Sequence, residues 1–450
     1  MENLTFDERD EFQRRVIAEK AITLLCSEIE ISPIVIDGGW GTGKTEFCHK
    51  LMNLMKQANT HHLIYVDAFL ADHSDEPLLT VLSEVLKIIP EGEERNGFIQ
   101  KALPAIRYGL KTIAKAGVSH ILRQDAADVI DDFDKEIQKS ANKAIDASVE
   151  SMLKSHIKAS ENLKTLQTVL KDIANKKPIV LFIDELDRCR PSFAVNLLEI
   201  IKHTFDVDGV QFVLVTNTQQ IKASINHCYG DAVDSQRYLD KFLKFTFSLP
   251  SQFNSNAHLQ TETSLSHYQN LVRQSPSLKE TNLEQEAYLA FIGHLIKLHN
   301  ISLREVETLV RHIEIYQMLT EGKGLKENVI FGYKLLRLFG VILYSFKPDV
   351  AYDISKDRAN AKDLASFFGE ETIAAFNGKY PYPEHYKTVL VMIGEECHRN
   401  SDLFTPTEKE NKVQWSDLIR SYFNNGGFPP EKGQRSRILV EVINTLSLYK

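Results

Sequence analysis

Short unbroken apolar runs alternate along this chain with longer stretches whose apolar residues recur at helical spacing. Such runs are Pro33-Ile34-Val35-Ile36-Asp37, Leu63-Ile64-Tyr65-Val66-Asp67 and Ile179-Val180-Leu181-Phe182-Ile183; Val210 to Thr216 is another predicted buried strand, and Phe242 to Leu249, which Pro250 closes, a fifth strand. Runs of this length without polar alternation predict strands buried on both faces, as in a parallel sheet. Between them, Phe47, Leu51, Leu54 and Met55 predict a helix over 46–55. Others are predicted from Pro77 to Leu86, from Ser192 to Phe205 and from Gln220 to Tyr229. Leu4 to about Glu30 predicts an N-terminal helix that Ser32-Pro33 ends. Five strands separated by helices predict a three-layer α/β core: a five-stranded parallel sheet with helices on both faces.

Two regions depart from this alternation. Between Arg95 and Gln124 there is no acidic residue; Leu103, Ile106, Leu110, Ile113 and Ile121 mark an apolar face, and Arg107, Lys111 and Lys115 a basic stripe. Contact with a membrane surface or an acidic partner is one reading of such a segment, and a docked helix with a solvated charged face is the other. Apolar periods from Ile130 to Leu153 and from Leu163 to Ile173 continue as helices, so 91–175 is expected to be a helical insertion. It divides a core formed by 1–90 and 176–252. From 253 to 450 the pattern is mostly helical, with the best periods at Leu289–Leu298, Leu303–Leu319, Val329–Phe346, Trp415–Phe423 and Ile438–Tyr449. Tyr380-Pro381-Tyr382-Pro383 and Gly426-Gly427-Phe428-Pro429-Pro430 are predicted loops.

Composition narrows the function classes. A chain of 450 residues exceeds one core, so two or three domains are expected. A formal net charge of −8 argues against a general nucleic-acid coat, although a local basic patch can still bind one. The N-terminal stretch Met1 to Arg15 is charged throughout, unlike a signal peptide, and no run approaches the roughly 18 apolar residues of a membrane span. The five cysteines are scattered without a C-x-x-C pair, as expected of reduced thiols in a cytoplasm, and Cys397-His398 and His227-Cys228 lack a second ligand pair at finger spacing. A cytoplasmic protein follows, with peripheral membrane contact left open.

The strongest chemical signal is Gly38-Gly39-Trp40-Gly41-Thr42-Gly43-Lys44-Thr45, which fits the phosphate-binding pattern G-x-x-x-x-G-K-[ST]. It lies between a predicted strand and a predicted helix, the context such a loop requires. Glycines let backbone N–H groups converge on phosphate oxygens, and the helix N-terminus adds positive potential there. Lys44 can reach the β- and γ-phosphates of a nucleotide, and the Thr45 hydroxyl can ligate Mg²⁺. Downstream, the apolar strand 179–183 delivers Asp184-Glu185. Asp184 takes the Mg²⁺-organising position and Glu185 can polarise a water for attack on the γ-phosphate. Asn217, at the end of the fourth strand, can sense the γ-phosphate or hold that water; its other reading is a strand-end cap.

The extension Asp184-Glu185-Leu186-Asp187-Arg188-Cys189-Arg190-Pro191 resembles the KAP family of P-loop NTPases, in which two acids are followed by Leu-Asp-Arg-Cys and a nearby proline. The loop at Gly38 to Thr45, tryptophan included, is similar to that of the family. So are Tyr238-Leu239-Asp240-Lys241-Phe242 with Leu249-Pro250, and more weakly Ser302-Leu303-Arg304-Glu305-Val306. The likeness covers roughly 10–320. It implies a core of the additional-catalytic-glutamate type, related to AAA+ and STAND ATPases. ATP and Mg²⁺ are the implied cofactors. Bacterial members are often linked to defence against phages, commonly with partner proteins. The chain departs from the family in three places. Its region between the two nucleotide motifs is polar where many members carry transmembrane helices, Asp67-Ala68-Phe69 replaces a Phe-Asn-Ala-Trp, and Asn217 stands where an aspartate is usual.

Three functions compete. The first is an ATP-hydrolysing, homo-oligomeric regulator or motor subunit of an anti-phage system acting through a separate effector protein. Arg188 or Arg190, with Arg237 and Arg304 as further candidates, would supply an arginine finger. The second is a slow STAND-like nucleotide switch. The third is a P-loop kinase of small molecules. Glu185 beside Asp184 favours hydrolysis, because a kinase of small molecules needs no water-activating acid.

Overall fold

The computed structural model describes residues 4–74, 77–93, 95–96, 98–99, 163–256, 259–373, 383–424 and 429–449. The basic stripe at 107–115, the helices expected over 130–153 and parts of the two predicted loops lie outside them. The chain divides into two compact units, one of residues 1–39 and 43–249, the other of residues 40–42 and 250–450.

The first unit is built on five parallel strands: β1 Ile34–Asp37, β2 His62–Asp67, β3 Ile179–Asp184, β4 Val210–Thr216 and β5 Phe245–Ser248, in the spatial order β2-β3-β4-β1-β5. Register places Asp67 beside Asp184 across β2 and β3, and Asp37 beside Thr216 across β1 and β4. β3 sits inside the sheet and all six of its residues are buried, which is why its run is unbroken.

Successive strand residues point to opposite faces, and the two faces carry different helices. Ile34, Ile36, Val180, Phe182, Val213 and Val215 pack under α1 Arg15–Leu25 and α2 Lys44–Ala58. Val35, Ile64, Val66, Leu181, Ile183 and Leu214 pack under α4 Pro77–Ile88, the helix α5 over 163–176, α6 Pro191–Thr204 and α7 Thr218–Tyr229. A short α3, Ala68–Ala71, follows β2 directly. Helix α5 contributes Leu166, Leu170, Ile173 and Ala174 to this layer.

Two elements are shorter than their patterns predict. The N-terminal helix begins only at Arg15, because Gln13 has φ of 54° and Asp10 accepts hydrogen bonds from the Arg14 and Arg15 N–H groups at 2.8 and 3.2 Å. Phe6 and Phe12 are buried from a run of turns instead. β5 begins at Phe245, because Phe242 turns into the cluster with Leu239 on the α6–α7 side.

The second unit opens with an antiparallel pair that the sequence reading missed, β6 Gln252–Asn256 and β7 Leu259–Glu262. Nine helices of its described residues follow: α9 Thr263–Gln274, α10 Glu286–His299, α11 Leu303–Leu319, α12 Phe331–Phe346, α13 Pro348–Ser355, α14 Ala361–Phe368, α15 His385–Gly394, α16 Lys409–Ser421 and α17 Arg435–Leu446. The short α8, Ser235–Leu239, belongs to the first unit. A capping box of Ser302 and Glu305 starts α11 where the pattern predicts. Helices α12 and α17 cross closely at Gly340, where a Cβ would stand 2.9 Å from that of Val442. No helix of the described residues is long and apolar enough to cross a membrane.

Candidate functional site

The site lies where the strands of the first unit end. Parallel strands bring their C-terminal tips to one edge, and four tips here carry polar groups: Asp37, Asp67, Asp184 and the Thr216–Asn217 pair. From β1 the Gly38 N–H donates to the Thr216 carbonyl at 3.3 Å, and the chain then turns through the glycine loop. Gly43 occupies the N-cap of α2 in the left-handed region, φ 82°, where an L side chain is strained. The N–H groups that begin a 15-residue helix therefore open toward the loop with its dipole behind them.

Lys44, only 8% exposed, lays its ammonium against the loop. Its Nζ donates to the carbonyls of Gly38 at 2.7 Å and Gly39 at 2.9 Å. Burial lowers its pKa, and Asp187, Asp184 and Asp37 counter that by favouring the charged form. A fixed cation inside the loop matches a polyphosphate.

Asp184 is 2% exposed and meets three donors. The Thr45 hydroxyl donates to its carboxylate. The Glu185 N–H donates to Oδ1 at 2.7 Å, and the Tyr65 hydroxyl to Oδ2 at 3.1 Å. Burial raises the Asp184 pKa against the pull of these bonds and of Lys44. The next residue leaves the strand sharply: Glu185 has φ of 61°, a left-handed conformation that costs a non-glycine residue about 1–3 kcal/mol. Its carboxylate pairs with Arg188 Nη1 at 2.8 Å. Desolvation pushes the Glu185 pKa up, Arg188 draws it down, and Asp184, Asp67 and Asp187 push it up again.

The structure thus brings Lys44, Thr45, Asp184, Glu185 and Arg188 together through these contacts. Asn217 takes its capping reading: it is the N-cap of α7, and its side-chain oxygen accepts from the Gln219 N–H at 3.1 Å. Arg190 is bound to Asp72, whose carboxylate accepts from the Arg190 N–H at 3.0 Å and Nε at 3.1 Å and whose carbonyl accepts from Nη2. Arg237 is largely exposed and pairs with Asp234, and Arg304 lies on α11 of the second unit. Trp40 is half exposed, and Gly41 holds φ of 77°.

Sequence reasoning passed over several residues of this edge. Asp37 accepts from the Thr218 N–H at 2.8 Å, and Asp67 caps α3 through the Leu70 N–H at 2.9 Å. Asp187 accepts from the Thr216 hydroxyl at 3.2 Å. The signal for the first two was legible, an acid closing each apolar run. Tyr65 carried no such signal.

The donors fit Mg²⁺. Among the described residues no group of three or more histidine, cysteine or carboxylate side chains converges as a metal cage. A hard carboxylate hydrogen-bonded to one hydroxyl is the sparse oxygen donor set that would suit Mg²⁺, which keeps several waters and takes further ligands from a nucleotide's phosphates.

Comparison with curated proteins finds no match to the chain. Residues 14–320 match the model described as the KAP family P-loop domain. That span is more than half of the 450 residues and holds the loop, Asp184 and Glu185, so the protein belongs to the KAP family of P-loop NTPases.

Proposed function

We propose that the protein binds ATP with Mg²⁺ and hydrolyses it, as a homo-oligomeric regulator or motor subunit of an anti-phage defence system that works in the cytoplasm through a separate effector protein. Nucleotide binding follows from the family. The observation that carries hydrolysis is Glu185, an acid beside the metal-organising Asp184, turned out of the strand by its left-handed backbone.

The loop amides and Lys44 would hold the β- and γ-phosphates and stabilise the charge that grows during transfer. Thr45 and Asp184 would hold Mg²⁺, which supplies charge neutralisation at the phosphates. Glu185 would orient the attacking water and accept its proton, in the ionised form that Arg188 favours. With Arg190 engaged by Asp72, Arg188 is the arginine of this group nearest the chemistry, in cis or toward a neighbouring subunit. Asn217 is in place to cap α7 beside the site, and a γ-phosphate contact would come from its amide group.

Lys44→Ala tests the binding half: calorimetry should detect no ATP binding, and unchanged affinity would overturn it. The STAND-like switch remains the second reading, because the Glu185–Arg188 pair engages the water-orienting carboxylate. Steady-state turnover separates the two. Activity per protein that falls on dilution supports the assembly, and constant activity down to a monomer contradicts it.

A further inference from the structure

We infer that Tyr65 is a positioning residue for the nucleotide-bound metal: its hydroxyl fixes the carboxylate of Asp184 in the orientation that holds Mg²⁺. This rests on the reading of Asp184 as the metal-organising acid.

Tyr65 lies on β2, two residues before the strand's end at Asp67, which pairs in register with Asp184 of β3. Side chains alternate along a strand, so Tyr65 and Asp67 share one face. Tyr65 packs on the cluster that contains Phe47 and Cys48 of α2 and Phe182 of β3. The phenol is thereby placed beneath the first turn of the helix that carries Thr45, and its hydroxyl donates to Asp184 Oδ2 at 3.1 Å. A phenol is an ordinary hydroxyl donor at neutral pH, and beside a carboxylate it can only donate. The ring is held in turn by His49 of α2, whose imidazole is 4.6 Å away and tilted at 37°. Among the described residues His49 Nε2 is buried with no hydrogen-bond partner, so the imidazole serves as packing against the phenol.

The division of labour follows from the donors. Thr45 and the Glu185 N–H are tied to the loop and to the catalytic turn, and both belong to elements that meet the nucleotide. Among the described donors to Asp184, Tyr65 is the one that lies on neither the phosphate loop's helix nor the turn of Glu185. With the Glu185 N–H on Oδ1 and the Tyr65 hydroxyl on Oδ2, both oxygens are engaged by the protein, which restrains rotation of the carboxylate. Groups that orient a metal ligand from behind typically matter by tenfold or more in metal affinity.

The test measures Mn²⁺ binding by electron paramagnetic resonance, using the full chain with a non-hydrolysable ATP analogue. Affinity for a fluorescent ATP analogue in EDTA serves as the metal-free reference. Tyr65→Phe keeps the ring and removes one oxygen. It should weaken Mn²⁺ about tenfold, recover full occupancy at higher Mn²⁺, and leave metal-free nucleotide affinity unchanged. Asp184→Asn should weaken Mn²⁺ further. Parent Mn²⁺ affinity in Tyr65→Phe beside a loss in Asp184→Asn would overturn the role of Tyr65 alone. Loss of metal-free nucleotide affinity in Tyr65→Phe would make Tyr65 a structural residue and also overturn it. Parent Mn²⁺ affinity in Asp184→Asn would instead overturn the metal reading of Asp184.

Discussion

The guanidinium of Arg188 stands 2.8 Å from a carboxylate oxygen of Glu185, three residues earlier in the same turn. Burial and three neighbouring acids push this carboxyl above the ordinary glutamate range, and Arg188 is the group that opposes them. A general base works only when ionised, so turnover should fall on the acid side as Glu185 takes up a proton. Without Arg188 that proton binds more readily. Arg188→Ala should therefore move the acid limb of the pH–kcat profile to higher pH, and the profile of initial rates checks it. An unmoved limb would mean that the pair does not set the ionisation of Glu185.

Much of this was legible in the sequence. The sheet was, because β1, β3 and β4 are covered on both faces and their runs are apolar almost throughout, with Gln211 near the start of β4 as the interior polar residue. The positions of the glycine loop and of Asp184-Glu185 were, because each follows directly on an apolar run that forms a strand. Helix α11 was, with its Ser302–Glu305 box. What stayed hidden depends on distant pairs. The Asp72–Arg190 and Tyr65–Asp184 bonds join residues 118 and 119 positions apart. The β6–β7 pair is polar on both strands and gives no alternation to read. The overlong N-terminal helix was a false period: Phe12 packs from a turn that the Asp10 side chain closes.

Arg190 is expected to serve the fold. Asp72 is 7% exposed and its carboxylate accepts both the backbone and the side chain of Arg190. Asp72→Ala removes the carboxylate that both donors use and should cost about 1 kcal/mol in a denaturant titration, the Arg190 side chain being half exposed. ATP affinity of the folded fraction should stay at the parent value. A stable variant that loses turnover would reassign the pair to the chemistry.

Ligand binding should register as stability. At a free ATP concentration about 100 times Kd, with Mg²⁺, the parent should gain about 2.7 kcal/mol and a higher Tm. Lys44→Ala removes the ammonium that donates to the Gly38 and Gly39 carbonyls, and its Tm should not move with ATP. Equal shifts in both proteins would place binding elsewhere.

The buried carboxylate of Asp184 gives a pH signature in the metal-free protein. Its pKa is raised in the folded state, chiefly by desolvation. Such a group favours folding below its unfolded pKa, and that contribution is lost as pH rises through the folded one. Asp184→Asn should therefore have a higher metal-free Tm than the parent near neutral pH, and the gain should shrink as pH falls into the ordinary aspartate range. Differential scanning calorimetry across that range is the check, and a gain that grows on acidification would contradict the assignment.

Hydrolysis through Glu185 is tested by comparing Glu185→Gln with the parent for ATP affinity and steady-state turnover together. The glutamine keeps the shape of the side chain and leaves Lys44, Thr45 and Asp184 untouched, while losing the capacity to take a proton from water. Affinity for MgATP should match the parent, with turnover reduced about 10²–10⁴-fold. A glutamine variant that turns over ATP at the parent rate would contradict it.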